Sequence, residues 1–353
     1  MLSTALGLAR RGHSISLVCQ PGSMLANHAL AKGLRPVTMR FRGDFNPIVI
    51  ARLYRLIRRR RIQLVCGNMG KEVRLAGVSA RLAKIPFIRR RGSDMRYPNK
   101  WRHRLVDRYL VRLIIVNSRA TRNTLLRGNP WLPPEKLKLI YNGIPLPSDD
   151  ESVNRDEVLK EFGLETASPL LGVVGLLKER KGHEVLFRAM PQILEKFPRL
   201  ALLVVGEGAL RGKLEELTHR LDIARHVHFT GFRDDVLLLM EALDILVLPS
   251  KNEGFGYVLA EAMSLRKPVV ASRISSIPEV VSEGRTGLLV PPGDVGALRN
   301  ALLDLAGNPQ KAQRMGLAGR RRVERLFSLE RMLDEVEDLF GKVVEEGGFR
   351  RAL

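Results

Sequence analysis

Short unbroken apolar runs alternate along the chain with longer segments whose apolar residues recur at helical spacing. The runs predict strands buried on both faces and the segments predict amphipathic helices. Their alternation predicts parallel sheets covered by helices on both sides. In the first half the strands fall at Ser14–Cys19, Gln63–Cys66, Pro86–Arg89, Leu113–Val116 and Lys138–Tyr141. In the second half they fall at Leu170–Val174, Ala201–Val205, Val227–Phe229, Ile245–Leu248, Pro268–Ala271 and Gly287–Val290. The expected fold is α/β, with two doubly wound Rossmann-like domains in tandem, facing each other across a cleft. Pro145–Asn154 is polar, carries two prolines and breaks both periodicities, so it reads as a linker. An N-terminal domain is expected at 1–147 and a C-terminal domain at 148–328. The last segment, 329–353, opens with an amphipathic helix over Leu329–Glu346, expected to pack back toward the N-terminal domain.

With 353 residues, 45% apolar and 27% charged, the chain has the length and composition of two globular domains. Its best apolar runs, Leu200–Val205 and Ile245–Leu248, fall far short of the roughly 20 residues a membrane-spanning helix needs. No basic segment followed by a long apolar stretch and a small-residue cleavage site opens the chain, so a cytoplasmic location is expected. Cys19 and Cys66 lack Cys or His partners at metal-ligand spacing and read as buried free thiols.

The net charge of +22 is unevenly spread. Residues 1–150 hold 30 Lys and Arg against 7 Asp and Glu, while the remainder is nearly balanced at 29 against 30. The excess concentrates at Arg58–Arg61, Arg89–Arg91 and Arg96–Arg112. Such a field either only solubilises its face or attracts an anionic partner: a membrane surface, an acidic acceptor or nucleic acid. Aromatic residues are 5% of the chain and do not interleave with the basic ones, which argues against a stacking platform for bases.

The segment richest in chemistry is Pro249–Met263, directly after the run at Ile245–Leu248. It reads as strand, loop and helix. Gly254 and Gly256 permit close backbone approach, and a helix starting near Tyr257 would aim its free N–H groups at an anion such as a diphosphate. Glu253 falls in the loop and Glu261 just inside the helix, so two carboxylates are available to the hydroxyl groups of a sugar and a ribose. The same residues also fit a plain glycine turn with two surface glutamates. A second candidate is Gly175-Leu-Leu-Lys178-Glu-Arg180-Lys181-Gly182, where Lys181 suits a phosphate as a point charge. A third is the turn Gly231-Phe232-Arg233, whose backbone is placed to meet the edge of a base. His183, beside the Lys–Gly turn, and His103, in the basic helix, are candidates for ligand contact; the other histidines read as structural or surface residues.

Taken in order, Gly175…Lys181-Gly182, Gly206-Glu-Gly208, Phe229-Thr-Gly231-Phe232, Asp244…Pro249-Ser250, Glu253-x7-Glu261-Ala, Pro268-Val269, Pro278-Glu279 and Gly287-Leu-Leu-Val-Pro-Pro-Gly-Asp294 resemble retaining family 4 glycosyltransferases of the GT-B fold. The resemblance covers about residues 138–340. Leu8–His13 and Tyr141–Ile144 match the family more loosely. It implies transfer of a sugar from a nucleotide-diphosphate donor, with retention and without a bound metal or other cofactor. Glu253 would contact the donor sugar and Glu261 the ribose. Lys181, with Gly175, Arg180 and the backbone around Gly254, Phe255, Gly256, Tyr257 and Val258, would hold the diphosphate. Phe232 and Arg233 would lie near the base.

Three departures stand beside these matches. Leu176 occupies the place where the family usually has Arg, Arg91 replaces a usual His, and the chain starts inside the first helix, without the opening strand and its glycine-rich loop. Arg91 cannot carry a proton at neutral pH, although it can bind a diphosphate or an acidic acceptor. The expected partners are a nucleotide sugar, a glycan or lipid-linked acceptor and an anionic membrane, which places the protein peripherally on the cytoplasmic face of the inner membrane, in surface-polysaccharide or lipopolysaccharide synthesis. Two alternatives stay open, a non-catalytic relative that binds a nucleotide sugar and a nucleic-acid-binding module. A nicotinamide dehydrogenase is a poor fit, because no Gly-x-Gly-x-x-Gly follows any strand.

Overall fold

Leu113–Val116, Leu170–Val174, Ala201–Val205, Ile245–Leu248 and Gly287–Val290 are strands over the full extent of their apolar runs in the computed structural model. The structure describes residues 1–41, 43–68, 70–92, 101–147 and 155–347. Expectations for Ser93, Asp94, Arg96 and the stretch 148–154 lie outside the described residues.

The chain divides into two units, Met1–Gly143 with the segment from Leu329, and Ile144–Ser328. The first unit contains α1 (Leu2–Arg10), β1 (Val18–Cys19), α2 (Met24–Ala31), β2 (Val37–Thr38), α3 (Pro47–Arg59), β3 (Val65–Gly67), α4 (Gly70–Leu82), β4 (Phe87–Arg91), α5 (Trp101–Tyr109), β5 (Leu113–Val116), α6 (Arg119–Gly128) and β6 (Leu137–Leu139). The second contains α7 (Arg155–Glu161), β7 (Leu170–Val174), α8 (His183–Leu194), β8 (Ala201–Val205), α9 (Arg211–Arg220), β9 (Val227–Gly231), α10 (Val236–Ala242), β10 (Ile245–Leu248), α11 (Tyr257–Ser264), β11 (Val269–Ser272), α12 (Ile277–Val280), β12 (Gly287–Val290), α13 (Val295–Gly307) and α14 (Pro309–Leu326). The chain then returns to the first unit as α15 (Leu329–Glu345).

In the first unit β3-β4-β5-β6 form one parallel sheet and β1-β2 a separate parallel pair. Among the described residues no strand pairing joins them. A doubly wound sheet in the order 3-2-1-4-5-6 would carry one more strand at that break. Successive residues of β4 and β5 face opposite sides. Phe87 and Ile114 join Val73, Val111 and Leu125 on one face, while Ile88 and Ile115 join Leu8 of α1 and Met332, Leu333 and Val336 of α15 on the other. Polar contacts tie the same helices together. Arg11 lies 2.6–2.8 Å from the carboxylates of Glu330, Asp334 and Glu337, and His13 Nε2 lies 2.6 Å from Glu337.

The second unit is one six-stranded parallel sheet in the order β9-β8-β7-β10-β11-β12. Every residue of β7, β8, β10 and β11 is buried, as helices on both faces require. The start of β7 is clamped by Asp244, which accepts from the Leu170 N–H at 2.7 Å and pairs with Arg155 of α7 at 2.6 Å.

Several expectations are corrected. Arg89–Arg91 does not simply add to a basic surface. Arg89 is 6% exposed and pairs with Asp107 at 2.9 Å, and Arg90 donates to Thr4 and Asn142 at 2.9 Å each. The apolar strand favours burying these stems, and internal acceptors then satisfy the heads. Cys19 is buried but Cys66 is only half-buried; desolvation pushes the Cys66 thiol up to about 11. β2 was not expected, and β1 is shorter than its apolar run. The unit boundary falls at 143/144, and Ile144 donates to Phe327 O at 2.9 Å within the second unit, so the start of the expected linker belongs to that unit.

Candidate functional site

Chain order in the second unit reverses between β7 and β10, which are neighbours. In open parallel sheets, ligands bind beyond the strand C-termini at such a switch point. The loops that follow β7 and β10 hold Gly175, Arg180 and Lys181 on one side and Glu253, Gly254 and Gly256 on the other. They are tied together directly, because the Lys251 N–H donates to Arg180 O at 2.7 Å. Gly182 makes this approach possible: its φ is +72°, and a Cβ there would sit 2.0 Å from Pro249 O.

Lys181 Nζ lies 2.6 Å from Glu253 Oε2, and the two side chains are 13% and 14% exposed. The second Glu253 oxygen accepts from the Gly254 N–H at 3.2 Å. In this state each charge neutralises the other, so an arriving anion must take Lys181 from Glu253. The exchange frees Glu253 to accept from a ligand hydroxyl. Two residues on from Lys181, His183 is 2% exposed, and both its ring nitrogens are buried without a hydrogen-bond partner among the described residues. Burial and the Lys181 charge hold its pKa down at about 4, so the ring is neutral at physiological pH.

After β10, Gly256 takes a left-handed φ of 81° and caps α11 with no side-chain acceptor. No cap side chain covers the start of α11, whose positive dipole end suits an anion. Phe255 is 2% exposed and turns its ring inward, edge-on to Phe327 at 5.6 Å, so only its main chain is available to a ligand. Tyr257 is 47% exposed, and Val258 follows it in the first turn. Glu261, in the second turn, is half-buried, and desolvation raises its pKa. Among the described residues its carboxylate has no hydrogen-bond or ion-pair partner. A desolvated acceptor without a donor is costly unless a ligand supplies one.

Two serines escaped the sequence reading. Ser276 is fully buried and its Oγ donates to Gly254 O at 2.9 Å, fixing the glycine loop from the end of β11. Beside it, Ser275 has a φ of +47°, and its hydroxyl, like that of Ser250 after β10, is buried with no partner among the described residues. The only signal was the position of a polar pair just past an apolar strand.

Phe232 and Arg233 follow β9, two strands from β7. Phe232 is 65% exposed, but the Arg233 guanidinium is occupied, bonded to Asp235 at 2.6 and 2.7 Å and also to Glu161. Those acids raise its pKa further. Its side chain is therefore committed within the unit. Leu176 stays 51% exposed, and Arg180 reaches Asn252 O at 3.5 Å. Arg91 ends β4 in the first unit, in register with Val116. His103 borders a small cavity near Arg89 and Arg74 in that unit. Among the described residues no cluster of His, Cys, Asp and Glu is arranged to hold a metal ion.

Two family models match this chain, Glycosyltransferase Family 4 over residues 1–147 and Glycosyl transferases group 1 over residues 154–322. A GDP-mannose-dependent alpha-(1-6)-phosphatidylinositol monomannoside mannosyltransferase of Mycolicibacterium smegmatis is 36% identical over 161 residues, 43% of this chain and 42% of that protein. A D-inositol 3-phosphate glycosyltransferase of Corynebacterium urealyticum is 35% identical over 168 residues, 45% of this chain and 39% of that protein. The matched stretches span less than half the length of either relative. Among solved structures, Anabaena HepE in complex with UDP superposes with a TM-score of 0.85 at 19% identity, over 97% of this chain and 94% of that one. At that identity the likeness establishes the fold.

Proposed function

Because this chain belongs to the family 4 glycosyltransferases and has the GT-B fold, we propose that it moves a sugar from a nucleotide-diphosphate donor to a phosphorylated or lipid-linked acceptor, with retention. The observation that carries the donor reading is the Glu261 carboxylate, desolvated and without a donor among the described residues, on the helix that starts at the switch point. A ribose diol supplies the missing donors. The diphosphate takes Lys181 from Glu253, and Glu253 turns to the sugar hydroxyls. As the glycosidic bond breaks, Lys181 and the α11 amides stabilise the charge that grows on the leaving diphosphate.

The acceptor reading rests on the basic first unit and on the relatives, whose names specify inositol-phosphate compounds. Along α5, Trp101, Leu105 and Tyr109 are 65%, 45% and 49% exposed at successive four-residue steps, with Arg104 and Arg108 on the same helix. Exposed aromatic and apolar side chains flanked by arginines suit the interface of an anionic membrane. Among the described residues no helix is long and apolar enough to cross one. Peripheral attachment to the cytoplasmic face of an inner membrane, in surface-polysaccharide or lipopolysaccharide assembly, is the setting that fits. One observation favours a binding-only relative instead, the exposed Leu176 beside Lys181 where the family usually places Arg.

Thermal denaturation with UDP-, GDP- and ADP-sugars tests the donor site, since ligand at 100 times its Kd stabilises by about 2.7 kcal/mol. One nucleotide class should raise Tm, and Glu261→Ala should weaken that binding at least about tenfold. A folded protein unmoved by all three classes overturns the donor reading. Donor binding without turnover on any phosphorylated acceptor selects the binding-only relative. Equal binding to neutral and anionic vesicles at physiological salt removes the membrane setting.

A further inference from the structure

A cavity of about 400 Å³ opens between the turn that leads into β12 and one face of α14, lined by none of the donor-site residues. Arg285 projects from the turn, Arg321, Arg322 and Arg325 from the helix, and Ser282 and Thr286 complete the polar wall. Arg322 is a fixed part of that wall, donating to Val280 O at 2.8 Å and Glu279 O at 2.7 Å and lying over the Phe327 ring at 5.9 Å. The other three guanidinium groups have no hydrogen-bond or ion-pair partner among the described residues.

Nearby acids are committed elsewhere. Glu283 holds Arg273 at 2.6 Å and the Leu289 N–H at 3.0 Å, and Glu324 holds Arg320 at 2.5 Å. Arg321 and Arg325 stand four residues apart on one helix face, a like-charge pair that costs helix stability unless a counter-charge sits between them. The turn presenting Arg285 is rigid, since the Ser282 N–H donates to Thr286 Oγ1 at 2.8 Å and the Arg285 N–H to Ser282 O at 3.0 Å. The cluster is local, because residues 151–353 carry 29 basic against 30 acidic side chains.

We propose that this cavity is a second anion site, taking a phosphate-bearing ligand through Arg285, Arg321 and Arg325. Guanidinium forks match phosphate oxygens in pairs, and no carboxylate in the wall opposes them. The volume lies in the range of small-molecule pockets, so a diphosphate or a phosphorylated head group fits better than a lone ion.

The probe is inorganic pyrophosphate, titrated calorimetrically into the full chain at low ionic strength, in a Lys181→Ala background that removes the donor site's cation. Binding should persist in that background, weaken about tenfold for each of Arg285→Gln, Arg321→Gln and Arg325→Gln, and vanish in the triple variant. These side chains are exposed and have no partner among the described residues, so the triple variant should keep or slightly raise its Tm, and with Lys181 intact it should bind nucleotide sugars normally. A control removing exposed Arg199, Arg220 and Arg225 should bind pyrophosphate as the parent does. Pyrophosphate affinity unchanged in the triple variant overturns the site, and so does an equal loss in the control. Flotation on vesicles with and without phosphatidic acid then identifies the source. Phosphatidate-dependent flotation lost in the triple variant makes the ligand a lipid head group. Flotation indifferent to these arginines, with pyrophosphate binding lost, makes it a soluble phosphate.

Discussion

In the Ile144–Ser328 unit four strands are buried at every position and the sheet is continuous, whereas in the other unit a four-stranded sheet and a separate pair of strands share the work. The first arrangement rests on aliphatic packing, and its loops hold polar groups with no hydrogen-bond partner among the described residues: His183, Ser250, Ser275 and the carboxylate of Glu261. The second adds a buried ion pair and the Arg11 cluster to its packing. Arg89 meets Asp107 with side chains 7% and 1% exposed, and Arg11 and His13 meet the acids of α15. A unit packed by apolar strands can carry unsatisfied chemistry at its rim. One whose sheet carries arginines must pair their charges inside the core, as Arg89 and Asp107 do.

The sharpest way to break that contrast is Asp107→Ala. It leaves the Arg89 charge buried and should cost the first unit about 3–5 kcal/mol. Both tryptophans, Trp101 and Trp131, lie in this unit, so their fluorescence in a urea titration reports it alone. The corresponding break in the second unit, Asp244→Ala, should cost less, because Arg155 and Asp244 are 38% and 33% exposed. The reverse order would remove the distinction.

Next in size is an acid-side effect confined to the second unit. His183 titrates near 4 in the folded state and near 6.5 when unfolded, so the unfolded chain binds the proton first as the pH falls. The contribution of neutral, buried His183 is complete above pH 6.5 and should be lost, by about 3 kcal/mol, as the pH drops to 4. Far-UV melts of His183→Gln should show that slope flattened, whereas tryptophan-detected melts of the first unit should not change.

A smaller effect follows from Glu261. Its folded pKa is raised, so ionisation opposes folding once the pH exceeds the unfolded value of 4.5. Glu261→Gln should therefore stabilise the empty protein at pH 7, a gain that disappears below pH 4.5, while donor binding weakens. A loss of stability at pH 7 would mean that the carboxylate is satisfied. The least effect belongs to Arg11→Ala, a slight fall in the first unit's Tm that 1 M salt should abolish.

The same contrast governs what could be read from the chain. Leu170–Val174 and Ile245–Leu248 are strands at the limits their runs set, because a parallel strand buried on both faces excludes polar side chains. The paired strands Val18–Cys19 and Val37–Thr38 lie in short stretches broken by polar residues, which set no sharp limits for a strand. At the candidate site the succession of glycines, Lys181, Glu253 and Glu261 was legible as a motif. Its pairing was not: Lys181 and Glu253 meet across 72 residues, and Ser276 reaches Gly254 from another strand end. Spacing along a helix or strand encodes local faces, whereas these contacts depend on which strands become neighbours.

The return of α15 to the first unit has a consequence for biosynthesis. Residues 144–328 form a continuous stretch that holds its whole core once Ser328 has left the ribosome. The earlier-made unit must wait for Met332, Leu333 and Val336 before Ile88 and Ile115 are covered. Nascent domains ordinarily fold in the order they are made. Here the unit translated first is completed last, and during that interval an apolar sheet face is open to chaperones and to other unfinished chains.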